Sequence, residues 1–249
     1  MSVNDCCTRG FTWEGTPVGQ TTKIGQNDTY VTGSNRENAV MIVHDLFGWT
    51  FPNVRLLADH YAKEADVTVY VPDFLGGEVP AFEPMVNGRW HEVDLKGCVT
   101  RNSREIREPE IFEFARILRQ KHKKIGAAGF CYGGWACFRL AAAEHQPPLV
   151  DCITVGHPSL LVKKDINEVG KIPVQMLAPE KDLQYTEELK LHTFQTLPKL
   201  GVPFVYEHFP GVEHACFVRG NEKMEGERLA MIRGKNAAVA WFREHLRSE

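Results

Sequence analysis

Apolar positions fall into two kinds of run along this chain. Ala39-Val40-Met41-Ile42-Val43 is continuously apolar, the mark of a strand covered on both faces of a parallel sheet. Val67-Thr68-Val69-Tyr70-Val71 repeats the pattern and stops at Pro72-Asp73. Lys124–Ala128, Cys152–Gly156, Ile172–Leu177 and Phe204–Phe209 read the same way. Between these runs the apolar period changes to that of a helix. Val54, Leu57, Ala58 and Tyr61 predict one from Pro52 to about Ala65. Ile111, Phe114, Ala115 and Leu118 predict another over about 105–121, split in two by Pro109. Further helices are expected from Trp135 to about His145, over 186–200 and over 225–247. Two β-prone pieces, Thr21–Ile24 and Thr29–Thr32, flank a Gly25-Gln26-Asn27-Asp28 turn and predict a hairpin. Residues 74–100 carry Gly and Pro without a period and read as a long loop, of the kind that is often functional. Residues 1–20 read as an irregular arm, leaving 21–249 as a single domain. Strands alternating with helices make a mostly parallel sheet wrapped on both faces. In such sheets ligands sit beyond the carboxyl ends of the strands.

Composition narrows the function classes. The 249 residues carry a formal net charge of −3 with no basic block, so nucleic acid is not an expected partner. No apolar run approaches the ~20 residues that span a bilayer, and Met1–Cys7 has neither the basic nor the apolar part of a signal peptide. Seven cysteines at irregular spacing do not make a disulfide framework. No C-x-x-C pair is present, so a zinc site of the ribbon type is not expected; no other metal and no cofactor is expected. A reducing, cytoplasmic setting fits. The adjacent Cys6-Cys7 is either a redox or metal feature or a pair of inert thiols.

The candidate chemistry lies at Gly129-Phe130-Cys131-Tyr132-Gly133-Gly134. This G-x-C-x-G follows a strand and opens a helix, which makes it a nucleophile elbow with Cys131 as nucleophile. The turn is sharp, so its glycines must lack side chains for strand and helix to pack. The helix start beyond Cys131 favours a thiolate and a developing oxyanion. A buried structural cysteine in a glycine-rich turn is the alternative.

A nucleophilic cysteine needs a base, and the base an orienting acid. In the α/β-hydrolase arrangement they follow in the order nucleophile, acid, histidine. His214 lies just after the last strand and before the final helix, and is the candidate base. His157, His192 and His208 sit at less suitable places. Asp182 follows the preceding strand and is the candidate acid, with Glu180 as second choice. The oxyanion requires two aimed donors. These are the backbone N–H of Tyr132 and that of Leu46 or Phe47, in the loop after the strand at 39–43. Asp45 lies beside them. A carboxylate there opposes thiolate formation and would hold the thiol neutral until substrate arrives.

These motifs, in this order, resemble the dienelactone hydrolase family, a cysteine-using branch of the α/β-hydrolase fold. The resemblance rests on Gly129–Gly134, on Pro210-Gly211-Val212-Glu213-His214, on the acid after Ala178 and on His44-Asp45-Leu46-Phe47-Gly48. It covers the chain from about residue 20 onward. The Cys6-Cys7 and Gly15-Thr16-Pro17 opening is similar to fungal and plant members. The resemblance implies hydrolysis of an ester or lactone through a thioester on Cys131, with a monomer or weak homodimer left open. The family's named substrates carry a carboxylate, which bacterial members hold with arginines. Here Arg219 follows the histidine one position later than in the bacterial spacing, and Arg89 is a second candidate clamp. Trp49, Phe82, Trp90 and Phe217, together with Phe47, would line an apolar pocket or belong to the core. Two other readings compete: a cysteine peptidase, thioesterase or acyltransferase on the same triad, and a non-catalytic small-molecule binder on the same fold.

Overall fold

A computed structural model describes residues 10–247, with the side chain of Trp90 left out. The Cys6-Cys7 pair and the pocket role of Trp90 lie outside the described residues. Among the described residues eight strands form one sheet: β1 Gln20–Ile24, β2 Asn27–Thr32, β3 Asn38–Val43, β4 Thr68–Pro72, β5 Lys124–Phe130, β6 Cys152–Gly156, β7 Val174–Lys181 and β8 Phe204–Glu213. Their order is β1-β2-β4-β3-β5-β6-β7-β8. The β1–β2 and β2–β4 pairs are antiparallel and all others parallel. This is the α/β-hydrolase-like fold.

The helices are α1 Pro52–Ala65, α2 Phe82–Val86, α3 Leu95–Arg101, α4 Arg104–Arg119, α5 Gly133–Leu140, α6 Lys163–Asn167, α7 Glu187–Thr196, α8 Cys216–Arg219 and α9 Glu225–Leu246. The continuous apolar runs have the cause assigned to them. Along β3, Ala39, Met41 and Val43 enter one core cluster with Phe114 of α4 and Trp135 of α5. Val40 and Ile42 enter the other, with Tyr61 of α1 and Phe242 of α9. Alternate side chains serve opposite faces of the sheet, so every position must be apolar.

Several elements differ from the periodicity. Residues 74–100 hold α2, a 3₁₀ turn over Trp90–Glu92 and α3. These pieces are short, and among the described side chains they bury only Met85, Leu95 and Cys98, too few to show a period. α4 runs unbroken through Pro109. A proline this close to the amino end forfeits one early hydrogen bond, and the Ile111–Leu118 face beyond it is fully buried. α5 stops at Leu140, well short of His145, because the chain then bonds to another segment. Ala143 N–H donates to Glu168 O and Gly170 N–H to Ala141 O, both at 2.8 Å. The predicted helix over 186–200 is α7 followed by a 3₁₀ turn, Leu197–Leu200, at Pro198. α6 and α8 are single turns that carry no period.

The described part of the arm, residues 10–19, contains neither helix nor strand. It is tied down nonetheless. Asn53 Nδ2 donates to Phe11 O at 2.6 Å and to Val218 O at 2.9 Å, joining arm, α1 and α8.

Candidate active site

Strand register brings the site together. Val43 of β3 pairs with Gly129 of β5, and Phe130 with Gly156 of β6. The loops after β3, β5 and β6 therefore leave the sheet side by side. On the far side, Lys181 of β7 pairs with Glu213 of β8, and His214 N–H donates to Lys181 O at 3.0 Å. Asp182 and His214 are the next residues out.

Cys131 sits at φ +49°, in the left-handed region that a side chain enters only under constraint. The constraint is close packing. A Cβ on Gly133 would run into the Val43 carbonyl, and one on Gly129 would lie 2.6 Å from Cys137 Sγ. Gly133→Ala is expected to lose ~3 kcal/mol or more of stability, because backbone cannot move aside as a side chain can. Urea denaturation reads this directly. A variant of wild-type stability would show that the elbow is not held by this contact.

His214 is fully buried, and its Nδ1–H donates to Asp182 Oδ1 at 2.9 Å. The same carboxylate oxygen accepts the N–H groups of Gln184 at 2.8 Å and Tyr185 at 3.0 Å. Burial works against the Asp182 carboxylate, but His214 and the Tyr185 N–H outweigh it and hold its pKa below the ordinary value. Burial likewise works against a charged His214. The Cys131 sulfur, to which the ring hydrogen-bonds, and Asp182 outweigh that penalty and push the imidazole up to about 10. These neighbours favour the charged imidazole. Glu180, the second-choice acid, is exposed and accepts the Gly211 N–H at 2.6 Å.

Asp45 is buried beside this group. Its Oδ2 meets Arg219 Nε at 2.7 Å, with both side chains closed off from solvent. Burial raises the Asp45 pKa and the nearby Cys131 sulfur raises it further, while Arg219 acts in the opposite direction. Asp45 Oδ1 also accepts the Phe47 N–H at 2.9 Å. That leaves Leu46, rather than Phe47, as the backbone donor in this loop that is not committed to Asp45.

The remaining sequence candidates are placed as follows. Arg219 reaches the site but faces Asp45, with its guanidinium carbon 4.4 Å from the Phe47 ring centre. Arg89 is exposed and pairs with Glu83 at 2.9 Å and Glu92 at 3.0 Å in a surface cluster. Trp49 is buried under the Arg55 guanidinium, 4.8 Å away. Phe217 is buried, stacked on His157 at 5.4 Å and set edge-on to Phe209 at 4.7 Å.

Two residues that the motif reading passed over belong to the group. His157, at φ +37° and fully buried, accepts the Cys131 N–H on Nδ1 at 3.2 Å. Burial, followed by repulsion from His214, pushes its pKa down to about 3, so it stays neutral. Ser159 Oγ lies 3.4 Å from Cys131 Sγ and 3.5 Å from His214 Nε2. The signal available in the sequence was the rule that placed His214: His157 and Ser159 also follow the carboxyl end of a strand.

Comparison with known proteins bears on this geometry. The profile of the dienelactone hydrolase family matches residues 28–246. The fungal proteins "Hydrolase tropI" of Talaromyces stipitatus and "Hydrolase pyvD" of Aspergillus violaceofuscus are 28% and 27% identical. The first alignment spans 100% of this chain and 99% of the relative, the second 99% and 98%. The mouse carboxymethylenebutenolidase homolog is 36% identical over 53% of this chain and 54% of its own. The crystal structure of dienelactone hydrolase from Anabaena variabilis superposes with a TM-score of 0.66 at 17% identity, covering 92% of this chain and 98% of that one. With the family profile covering nearly the whole described sheet and its helices, the chain belongs to the dienelactone hydrolase family and is an ester or lactone hydrolase.

Proposed function

We propose that hydrolysis runs through Cys131 as nucleophile, His214 as proton shuttle and Asp182 as the group that orients and charges the imidazole. The observation that carries this reading is a left-handed, buried cysteine whose sulfur is hydrogen-bonded to a histidine that in turn donates to a buried carboxylate. A binding-only protein has no use for that strain or that buried charge.

The proton of the Cys131 thiol passes to His214 Nε2, and the sulfur attacks the ester or lactone carbonyl. The resulting oxyanion is held by the backbone N–H groups of Leu46 and Tyr132. Collapse breaks the C–O bond, and the leaving alkoxide takes the proton from Nε2. Water then gives a proton to Nε2 and attacks the thioester carbonyl. The C–S bond breaks, the acid leaves and the thiol is regenerated. Asp182 holds the imidazole in one tautomer through Nδ1–H and stabilises its charged form. Asp45 opposes the thiolate and Arg219 moderates that opposition, so the pair tunes the nucleophile.

The substrate is a small ester or lactone of the dienelactone type, acted on in the cytoplasm. Cys98, Cys137, Cys152 and Cys216 are buried free thiols, which suits a reducing compartment. Mixing the enzyme with p-nitrophenyl acetate and quenching in acid should trap one acetyl group, mapped by peptide mass to Cys131. Turnover with the acetyl group elsewhere, or with none formed, would refute the thioester route.

A further inference from the structure

Ser159 occupies a place that the Cys–His–Asp reading leaves without a task. It lies on the turn after β6 and is 7% exposed. That turn holds the nucleophile by three of its polar groups. His157 Nδ1 accepts the Cys131 N–H, and Ser159 N–H donates to Cys131 O at 2.8 Å. Ser159 Oγ then reaches both the Cys131 sulfur and His214 Nε2. Pro158 fixes the turn against the elbow, where a Cβ on Gly134 would collide with it.

Such a hydroxyl is useful because of what else surrounds the sulfur. The charged or titratable groups acting there are His214 and Asp182 beyond β8 and β7, Asp45 with its Arg219 partner, and neutral His157. Asp45 disfavours a negative sulfur. A hydroxyl is a donor that adds no formal charge, and it rotates to suit its acceptor. While the thiol is intact, Ser159 can donate to His214 Nε2. Once the proton has moved to Nε2, that ring atom no longer accepts, and the hydroxyl can turn to the sulfur.

Resting on the triad reading above, we propose that Ser159 is a further catalytic residue, whose hydroxyl donates to the Cys131 thiolate and so favours the reactive ion pair. No bond to Ser159 is made or broken in this role. The proton that leaves Cys131 is carried by His214.

The test compares wild type, Ser159→Ala, Ser159→Cys and Ser159→Thr by two readouts: the pH dependence of Cys131 alkylation by iodoacetamide, mapped by peptide mass, and kcat and KM on p-nitrophenyl acetate. A hydrogen bond to a charged group is worth enough that Ser159→Ala should raise the alkylation midpoint by about one pH unit and lower kcat ~10-fold with KM little changed. Ser159→Cys, similar in size but a weak donor, should behave like Ala. Ser159→Thr, which keeps the hydroxyl, should restore both values. An unshifted midpoint in both Ala and Cys variants would overturn the proposal, as would an effect confined to KM. The triad reading fails separately: it would fall if the wild-type thiol titrated like an ordinary cysteine and Cys131→Ala kept its turnover.

Discussion

Cys131→Ala is expected to lower kcat by ~1,000-fold or more with folding intact, and His214→Ala to lower it as far, with a loss of stability from the Asp182 carboxylate left buried without its partner. The sulfur makes the bond that defines the route. Ser159 Oγ lies 3.4 Å from the sulfur and 3.5 Å from His214 Nε2, and the role proposed for it is that of a hydrogen-bond donor, with no bond made to it. Members of one catalytic unit do not contribute additively. The Cys131→Ala/His214→Ala double variant should therefore be about as slow as either single one. The cysteine variant should also change the histidine. Cys131 is a leading cause of the raised His214 pKa, so its loss should move the imidazole titration down from about 10, followed by NMR of the ring. The sign matters for stability. Because the folded pKa is raised, the stabilisation from charged His214 is complete below the ordinary value of 6.5 and disappears as pH rises through about 10. Removing the sulfur should erase much of the alkaline part of that window. Normal turnover in either single variant would sink the triad.

The elbow and the order of its partners were legible because they are local facts: glycines that flank a cysteine between a strand and a helix, and loops that follow strands. The central strands were legible because burial on two faces demands unbroken apolar runs, as in Ala39–Val43. What escaped the sequence depends on register. Nothing in periodicity says that Phe130 pairs with Gly156, and that pairing is what sets His157 and Ser159 against Cys131. The same holds for Asp45 and Arg219. Each was picked out as a separate charge, one to tune the thiol and one to clamp a substrate, but their meeting is a product of the folded loops after β3 and β8. Arg89 shows the converse. A cation in a long loop suggested a clamp, whereas Glu83 and Glu92 nearby in sequence take up its donors at the surface. The short helices α2, α3, α6 and α8 went unseen because a helix of one or two turns buries too few side chains to leave a period.

Arg219→Leu should cost about 3–5 kcal/mol of stability, the usual penalty for stranding one member of a buried ion pair. The two side chains are 0% and 2% exposed and 2.7 Å apart, so no solvent takes over when the guanidinium is removed. The Asp45 pKa is already raised by burial, and Arg219 is the chief influence opposing that rise. Without it the carboxyl should bind a proton well above its ordinary range. A carboxyl with a raised folded pKa binds more protons in the native state than in the unfolded one. Stability therefore falls as pH climbs from the ordinary carboxylate value to the raised one. The wild type carries a smaller form of the same penalty, since its Asp45 pKa is also raised, so the deficit of Arg219→Leu should be small in acid and grow toward neutrality. Urea denaturation at several pH values measures it. Adding Asp45→Asn removes the charge while keeping an oxygen to accept the Phe47 N–H, so the double variant should recover most of the loss and lose its pH dependence. A pH-independent deficit, or a double variant no better than the single, would mean that Arg219 acts by packing against Phe47 rather than by neutralising Asp45. Recovery in the double variant would also separate stability from tuning. Its Cys131 would sit beside a neutral amide in a sound fold, and any change in the thiol's alkylation would then report the charge that Asp45 normally places next to the nucleophile.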